Sequence, residues 1–207
     1  MRLYLARHAQ TQSNIDRALD TAYPGAPLNE TGREQAARLA ERLAAEPCAV
    51  VAASPLLRAR QTAEPLAAAR NLPVHAVDGL REIDAGDLEM ETSAEAGARY
   101  VAAARAWGHG DLDVSLPGGI SGHEFLRRFD EAVAAIEAAA EHAVAVSHGA
   151  AIRTWAAIRC RDAAISRRKL ANTDVLVLEG SSRAGWVLDR RMETGAGAMI
   201  RSEAEIF

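Results

Sequence analysis

LYLARHAQTQSN, residues 3–14, is the stretch from which the fold of this chain is inferred. Its first four residues are apolar, which is typical of a buried strand, and the apolar run stops abruptly at Arg7-His8. The pair is therefore predicted at the carboxyl end of a strand. In open α/β sheets ligands bind at this edge, because the loops leaving parallel strands open a crevice there. A polar strand end without function is the alternative interpretation of this stretch taken alone.

Composition limits the class of protein. The 207 residues are 49% apolar, enough to bury the core of one large domain or two small ones. We expect no membrane span and no secretory leader, so a cytoplasmic location is predicted. The formal charge of −4 gives no reason to expect nucleic acid or acidic lipid as a partner. Cys48 and Cys160 are predicted to be reduced packing residues.

Strand and helix patterns alternate along the chain, and no internal repeat or linker interrupts them. Strands are predicted near residues 3–7, 48–53, 73–77, 143–147, 174–179 and 185–191, and helices near 32–45, 54–66, 92–107, 121–140 and 150–159. We expect loops at 18–29 and 108–119 and an irregular tail from Glu193. The alternation predicts a single α/β domain over residues 1–207: a three-layer sandwich with a mostly parallel central sheet and helices on both faces.

Helix starts are predicted from capping signals. Thr31-Gly32-Arg33-Glu34 has capping-box spacing, and Ser121-Gly122-His123-Glu124 repeats it. Ser54-Pro55 combines a capping serine with a proline suited to the first helical position. The second predicted helix therefore begins directly at the end of the second strand.

Four successive strands are each followed by a candidate reactive group, namely Arg7 with His8, Arg58, Glu82 and His148. Arg58 lies in the first turn of a helix, where a cation opposes the helix dipole. Its placement makes sense if it points at an anion, while a surface arginine is the alternative. Because the carboxyl ends of parallel strands share one edge of a sheet, these groups are predicted to share one pocket.

Two arginines, two histidines and a carboxyl group favour phosphoryl transfer. A serine nucleophile elbow, a nucleotide phosphate-binding loop and a dinucleotide glycine fingerprint are all absent from the sequence. Asp and His residues do not cluster at metal-ligand spacing. The site is therefore predicted to use neither a metal nor a cofactor.

These residues carry a family resemblance. The stretch LARHAQTQSN, residues 5–14, resembles the Arg-His-Gly signature of the histidine phosphatase superfamily, in the branch of cofactor-dependent phosphoglycerate mutases and small phosphatases. Further segments follow in the family's order and cover nearly the whole chain: PLNETG at 27–32, SPLLRARQTA at 54–63, LRE at 80–82, PGG at 117–119, SHG at 147–149 and NT at 172–173. The combination is specific to the family, although no single segment is.

The resemblance implies a role for each matching residue. His8 would accept the phosphoryl group, and Glu82 would donate a proton to the leaving oxygen. The remaining residues would bind the phosphate or the rest of the substrate: Arg7, Arg58, His148, Asn14, Thr11 and Gly149. The resemblance implies a metal-independent phosphomonoesterase that forms a phosphohistidine and acts on a small phosphorylated metabolite. A homodimer is left open.

The chain departs from the family pattern in the predicted substrate pocket. Leu88-Glu89-Met90 stands where relatives often have aromatic-Glu-Gly, and Ile120 stands where glutamate often follows Pro-Gly-Gly. Residues 83–120 are therefore predicted to be a segment that sets substrate specificity. The carboxylate-gripping insertion that mutases carry after the glutamate is missing behind Glu82, so phosphatase is favoured over a phosphoglycerate mutase-type phosphotransferase.

Ala9 stands where the signature has glycine, and this motivates a third alternative. If the backbone at this position needs a positive φ, alanine costs about 1 kcal/mol and would tilt the His8 ring. The protein would then be a phosphate binder that has lost turnover.

Overall fold

The structure is a computed structural model that describes residues 1–161 and 169–194. The irregular tail predicted from Glu193 lies outside the described residues beyond Thr194. The described strands are β1 Arg2–Arg7, β2 Val50–Ala53, β3 Val74–Ala76, β4 His142–Ser147, β5 Val175–Ser181 and β6 Gly185–Met192. The described helices are α1 Gln12–Asp16, α2 Glu30–Arg42, α3 Leu57–Ala69, α4 Ala94–Gly108, α5 Gly122–Ala139 and α6 Gly149–Arg159. No described helix is long and apolar enough to cross a membrane.

The strands form one six-stranded sheet in the order β3-β2-β4-β1-β5-β6. The β2–β3, β2–β4 and β1–β4 pairs are parallel, as the alternation of strands and helices predicts. The β1–β5 and β5–β6 pairs are antiparallel, and β5 and β6 form a hairpin with no helix between them. The four strands that precede the candidate reactive groups are all in the parallel part of the sheet.

Alternation along β1 creates the three layers. Leu3 and Leu5 face one cluster of buried side chains, which α4, α5 and α6 complete. Tyr4 and Ala6 face a second cluster on the opposite side, which α2 and α3 complete. Successive strand residues point to opposite faces, so an apolar run without alternation is buried on both sides. This arrangement confirms the predicted three-layer α/β sandwich.

Aromatic side chains concentrate in the layer of α4, α5 and α6. Neighbouring rings lie 5.4–6.0 Å apart between centroids along the row Trp107, Phe125, Phe129, Trp155 and Trp186. Such spacings are favourable for offset or edge-to-face ring contacts. The row ties α4, α5 and α6 to β6, so the helices on this face form one connected support.

The structure corrects two predicted helix starts. Helix α2 begins at Glu30, and Asn29 caps it by accepting a hydrogen bond from the Gly32 amide, whereas Thr31 was the predicted cap. Helix α3 begins at Leu57 without any side-chain cap, although Ser54 was the predicted one. Local spacing cannot distinguish neighbouring Asn and Thr residues as caps.

The sequence patterns did not predict three short elements of the described chain. Residues 12–16 form α1, and the segment after β3 contains two 3-10 turns, Asp78–Leu80 and Gly86–Leu88. These elements are too short to produce a periodic apolar pattern. The start of α5 agrees with its sequence signal, because Ser121 accepts a hydrogen bond from the Glu124 amide.

Replacement of Asn29 by alanine tests which residue caps α2. Asn29→Ala removes the acceptor for the Gly32 amide and is expected to lower the free energy of unfolding by about 1 kcal/mol. Thr31→Ala, at an exposed position of the first turn, is the matched control and is expected to change it by less than about 0.5 kcal/mol. Urea unfolding measures both. A larger loss in Thr31→Ala would show that the cap is assigned to the wrong residue.

Candidate active site

The predicted groups meet at the carboxyl ends of the parallel strands. Arg7 ends β1 and His8 follows it, while His148 follows β4 and caps α6. Arg58 is the second residue of α3, which follows β2. Glu82 follows β3 and its 3-10 turn. The structure therefore brings together all five residues that were predicted to share a pocket.

His8 is 3% exposed and is held in one tautomer. Its Nδ1 lies 2.7 Å from the Ala9 carbonyl oxygen, and because a carbonyl only accepts hydrogen bonds, Nδ1 carries the proton. Nε2 therefore keeps its lone pair, and Arg58 Nε donates to it at 3.3 Å. Burial, then Arg58 and Arg7, hold the pKa of His8 well below its ordinary value of 6.5. The imidazole is neutral at physiological pH.

Arg58 is fixed by an aspartate that the sequence interpretation missed. Its Nη2 donates to the Asp20 carbonyl oxygen at 2.8 Å, and its Nη1 lies 3.6 Å from Asp20 Oδ1. Both side chains are buried, and Asp20 Oδ2 accepts hydrogen bonds from Ser13 Oγ and the Ala26 amide. Residues 18–29 were predicted as loop, and the sequence has no local signal that pairs Asp20 with Arg58.

Arg7 lies against the first turn of α6. Its Nη1 donates to the Leu170 carbonyl oxygen at 2.6 Å. A Cβ on Gly149 would lie 3.2 Å from Arg7 Nε, so the glycine permits this close approach. Gly149 thus has a steric role beside the guanidinium, in the pocket where it was predicted to bind substrate.

His148 is fully buried behind His8, with ring centroids 5.1 Å apart. Its Nε2 lies 2.8 Å from Ser54 Oγ, so this serine orients the imidazole instead of capping α3. Burial, then Arg58 and His8, hold the pKa of His148 well below its ordinary value. His148 is therefore also neutral at physiological pH.

Several side-chain nitrogen atoms around His8 are buried without a hydrogen-bond partner in the described part of the chain. They are Arg7 Nε, Arg58 Nη1 and His148 Nδ1. Buried polar groups are almost always paired, and an unpaired one costs free energy. The two arginine nitrogens are donors, so an oxyanion between them can accept their hydrogen bonds.

Glu82 is fixed by backbone amides at the start of α6. Its Oε1 accepts from the Ile83 and Ala151 amides at 2.9 and 2.7 Å, and its Oε2 accepts from the Ala150 amide at 3.2 Å. The buried Tyr100 hydroxyl donates to the Ile83 carbonyl oxygen at 2.9 Å and so supports the same loop. Tyr100 also lines the cavity. Burial, then Glu82, raise the pKa of Tyr100 well above its ordinary value, so its hydroxyl stays a donor.

Thr11 and Asn14 form the capping box of α1. Thr11 Oγ1 accepts from the Asn14 amide, and Asn14 Oδ1 accepts from the Thr11 amide, both at 3.2 Å. Asn172 Nδ2 donates to Asn14 Oδ1 at 3.1 Å and to the His8 carbonyl oxygen at 2.9 Å. These contacts link α1 to the backbone of His8. Thr11 and Asn14 also line the cavity beside the phosphate-binding groups. Asn172 was not predicted as a site residue.

Arg7, His8, Arg58 and Glu82 line a cavity of about 110 Å³, and His148 lies behind His8, outside the described lining. Four cationic side chains line it, Arg7, Arg58, Arg153 and Lys169, against the two carboxylates of Asp20 and Glu82. With His8 neutral, the lining carries net positive charge and favours an anion. Within residues 1–161 and 169–194, no group of three His, Cys, Asp or Glu side chains is placed to hold a metal ion.

Ala9 does not strain the backbone. The described non-glycine residues with positive φ do not include it, so the condition under which alanine would cost stability here is not met. The Ala9 amide donates to Thr62 Oγ1 at 2.9 Å, and its methyl group is buried with Leu28 and Ala36. The His8 ring therefore keeps its orientation.

The family model of the histidine phosphatase superfamily, branch 1, matches residues 3–194. The chain belongs to this superfamily. Among solved structures, mycobacterial glucosyl-3-phosphoglycerate phosphatase with VO3 is similar to this histidine phosphatase superfamily member. The two chains superpose with a TM-score of 0.79 at 28% identity, over 93% of this chain and 99% of the other.

Two curated relatives match parts of this superfamily member. The adenosylcobalamin/alpha-ribazole phosphatase of Escherichia coli is 37% identical over 113 residues, which is 53% of this chain and 55% of that protein. The probable phosphoglycerate mutase GpmB of Proteus mirabilis is 32% identical over 143 residues, 69% of this chain and 66% of that protein. The chain therefore spans less than two thirds of the length of either relative.

The neutral state of His8 predicts how stability depends on pH. Because its pKa is lower in the folded protein, the unfolded chain binds a proton first, and stability is lost as pH falls below about 6.5. One such histidine contributes a slope of up to about 1.4 kcal/mol per pH unit. His8→Asn is expected to reduce the slope between pH 6 and 5 by about this amount, as measured by urea unfolding.

Asn14→Ala is the control for this prediction, because it alters the same pocket without removing a titrating group. It is expected to keep the slope of the parent protein. If the free energy of unfolding falls with pH equally steeply in the parent protein and in His8→Asn, His8 is not a neutral buried histidine.

Proposed function

We propose that this protein is a phosphomonoesterase that acts through a phosphohistidine at His8. The observation that carries the proposal is the unprotonated Nε2 of a neutral histidine beside the guanidinium groups of Arg7 and Arg58, each of which has a buried nitrogen without a hydrogen-bond partner in the described residues. A histidine nitrogen attacks phosphorus only with its lone pair available. The proposed substrate class is a small phosphorylated metabolite.

In the first half-reaction, the lone pair of His8 Nε2 forms a bond to phosphorus while the bond from phosphorus to the ester oxygen breaks. Arg58 Nε donates to His8 Nε2 in the free site. When the phosphate binds, Arg58 Nε donates to a phosphate oxygen instead, which frees the lone pair of Nε2. The guanidinium groups of Arg7 and Arg58 and the ring of His148 stabilise charge on the phosphoryl oxygens. Glu82, in its protonated form, donates a proton to the leaving oxygen.

In the second half-reaction, water attacks the phosphorus of phosphohistidine. The Glu82 carboxylate accepts a proton from the water, and the nitrogen–phosphorus bond breaks to return neutral His8 and free phosphate. Glu82 thus returns to its protonated form, so one carboxyl group serves both steps. Its position is set by the backbone amides of the first turn of α6.

The similar proteins favour hydrolysis, with transfer as the second candidate. The similar solved structure and the Escherichia coli relative are phosphatases, whereas the Proteus mirabilis relative is a probable phosphoglycerate mutase. Transfer of the phosphoryl group back to a bound glycerate would need the same His8 chemistry. The ordinary backbone at Ala9 removes the observation that motivated a non-catalytic binder.

We extend the proposal to residues 83–120 as the segment that sets specificity within a single domain of residues 1–207. Tyr100 and Val101 of this segment line the cavity beside the phosphate-binding groups. A cytoplasmic location and a homodimer stay predictions.

Phosphate release from p-nitrophenyl phosphate in EDTA tests the central assignment. His8→Ala is expected to abolish turnover, and Arg58→Gln is expected to lower kcat about 10²–10³-fold, as loss of one group that stabilises transition-state charge does. Arg60→Gln, an exposed arginine two residues along α3, is the matched control and is expected to keep parental activity.

Two results would refute this assignment. Turnover that persists in His8→Ala would exclude His8 as the nucleophile. Isomerisation of 3-phosphoglycerate without phosphate release would establish the transferase alternative instead.

Glu82→Gln tests whether Glu82 donates the proton, when esters with a poor and a good leaving group are compared. An alkyl phosphate needs a proton on its departing oxygen, whereas p-nitrophenolate leaves readily without one. The variant is therefore expected to lose about 10²–10⁴-fold in kcat/KM for glycerol 3-phosphate and much less for p-nitrophenyl phosphate. Equal losses for both esters would indicate that Glu82 only supports the loop around α6.

A further inference from the structure

A second concave site adjoins the phosphate-binding cavity. It is a groove of about 450 Å³ between α4 and α6, about four times larger than the first cavity. We call it the α4–α6 groove; its lining is Val101, Ala104, Arg105, Gly108, His109, Ala150, Arg153, Thr154 and Ala157. The groove has room for more of a substrate than its phosphate.

Small residues create the space between the two helices. Ala104 and Gly108 line it from α4, and Ala150 and Ala157 line it from α6. A Cβ on Gly108 would lie 3.4 Å from the Ala157 methyl group, so the helices touch there and leave open volume alongside. The aromatic row of the same layer connects α4 to α6 through α5. The groove therefore belongs to a supported part of the fold.

The charged side chains of the groove are all basic. Arg105 and Arg153 line it together with the imidazole of His109, and no Asp or Glu is among its described lining residues. Arg105 is close enough to Arg153 to lower the pKa of that guanidinium, after burial, which has the larger effect. Glu82, which lies outside the described groove lining, raises the same pKa, and the basic groove lining favours an anion.

The groove is continuous with the phosphate-binding cavity. Val101, Ala150 and Arg153 line both. Ala150 also donates its amide to the carboxylate of Glu82, the proposed proton donor. A molecule whose phosphate lies against His8 therefore extends its alcohol portion past Glu82 into the groove.

We propose that the α4–α6 groove binds a second anionic group, a carboxylate or a second phosphate, on the alcohol portion of the substrate. This inference rests on the proposed function, because it places the scissile phosphate at His8. Arg105 contacts the second anion from the groove rim, and Arg153, which lines both spaces, contacts it from the boundary. The preferred substrate is then a phosphomonoester of an acidic alcohol, not of a neutral sugar or glycerol.

The experiment compares two esters that differ only in this group. Glycerol 3-phosphate carries a hydroxymethyl group where 3-phosphoglycerate carries a carboxylate. The parent protein is expected to hydrolyse 3-phosphoglycerate with a kcat/KM at least about tenfold higher, since charge-assisted hydrogen bonds are the strong ones. A parent that hydrolyses both esters equally well would overturn the second-anion site and leave the proposed phosphatase function intact.

Arg105→Gln is expected to reduce this selectivity ratio by about tenfold, and Arg105→Lys is expected to restore part of it. Arg99→Gln is the matched control, because Arg99 is also exposed on α4 and does not line the groove. A ratio that is unchanged in Arg105→Gln, or that falls equally in Arg99→Gln, would overturn the assignment. Fructose 1,6-bisphosphate against fructose 6-phosphate repeats the comparison for a second phosphate, so the two pairs show which anion the groove prefers.

Measurements of ligand affinity test the proposed anion site in the groove independently of whether the protein hydrolyses phosphate esters. Titration calorimetry with His8→Ala measures the affinities for the two glycerol-based esters without hydrolysis. Tighter binding of 3-phosphoglycerate, lost on adding Arg105→Gln, would support the groove even if the parent released no phosphate and the proposed function failed. Equal affinities for the two esters would overturn the groove whatever the activity of the parent.

Discussion

Burial of a neutral histidine between two arginines is the constraint on which the site depends. His8 cannot carry charge in this position, because burial and the neighbouring guanidinium groups all oppose protonation. Its Nδ1 proton is taken by the Ala9 carbonyl, so the lone pair can only be on Nε2. The same arginines that keep the ring neutral can stabilise an anion that approaches Nε2. One arrangement of charge would therefore serve both the proposed nucleophile and the phosphate that it attacks.

Burying arginines is costly, and the surrounding loops offset the cost unequally. Asp20 faces Arg58, and the Leu170 carbonyl accepts from Arg7, yet each guanidinium keeps a buried nitrogen without a hydrogen-bond partner in the described residues. Complete pairing would favour the folded protein but would compete with a phosphate for the same donors. The loop that carries Asp20 is itself held by Glu89, which accepts from the Thr21 amide and hydroxyl. The fold thus positions the cations and leaves part of their hydrogen-bonding capacity to a ligand.

The helical layer on the other side of the cavity divides into a rigid part and an open part. Aromatic rings join α4, α5 and α6 at the level of Trp107 and Trp155. Alanines and a glycine line the groove between α4 and α6. The proposed specificity groove therefore lies between helices that the aromatic row also connects.

Different parts of the site were accessible to sequence interpretation for different reasons. Arg58 was placed correctly because a strand, a helix start and a basic first turn lie within a few residues of each other. Ser54 was misassigned from the same segment, because its partner His148 is 94 positions away in the chain. Asp20 lies 38 positions from Arg58 and belongs to a stretch without any periodic pattern. Whether Ala9 strains the backbone depended on its φ angle, which only the folded chain could show, and that angle is not positive.

The sequence by itself determined the order of strands and helices, the strand ends that carry the basic residues, and the phosphate chemistry those residues favour. These features follow from local periodicity and from residue types that are adjacent in the chain. The tertiary structure alone decided which carboxylate faces Arg58, which hydroxyl orients His148, and that Arg105 and Arg153 line one groove. Such pairings depend on which distant loops and helices come into contact when the apolar layers pack. Local sequence patterns do not predict contacts between residues so far apart in the chain.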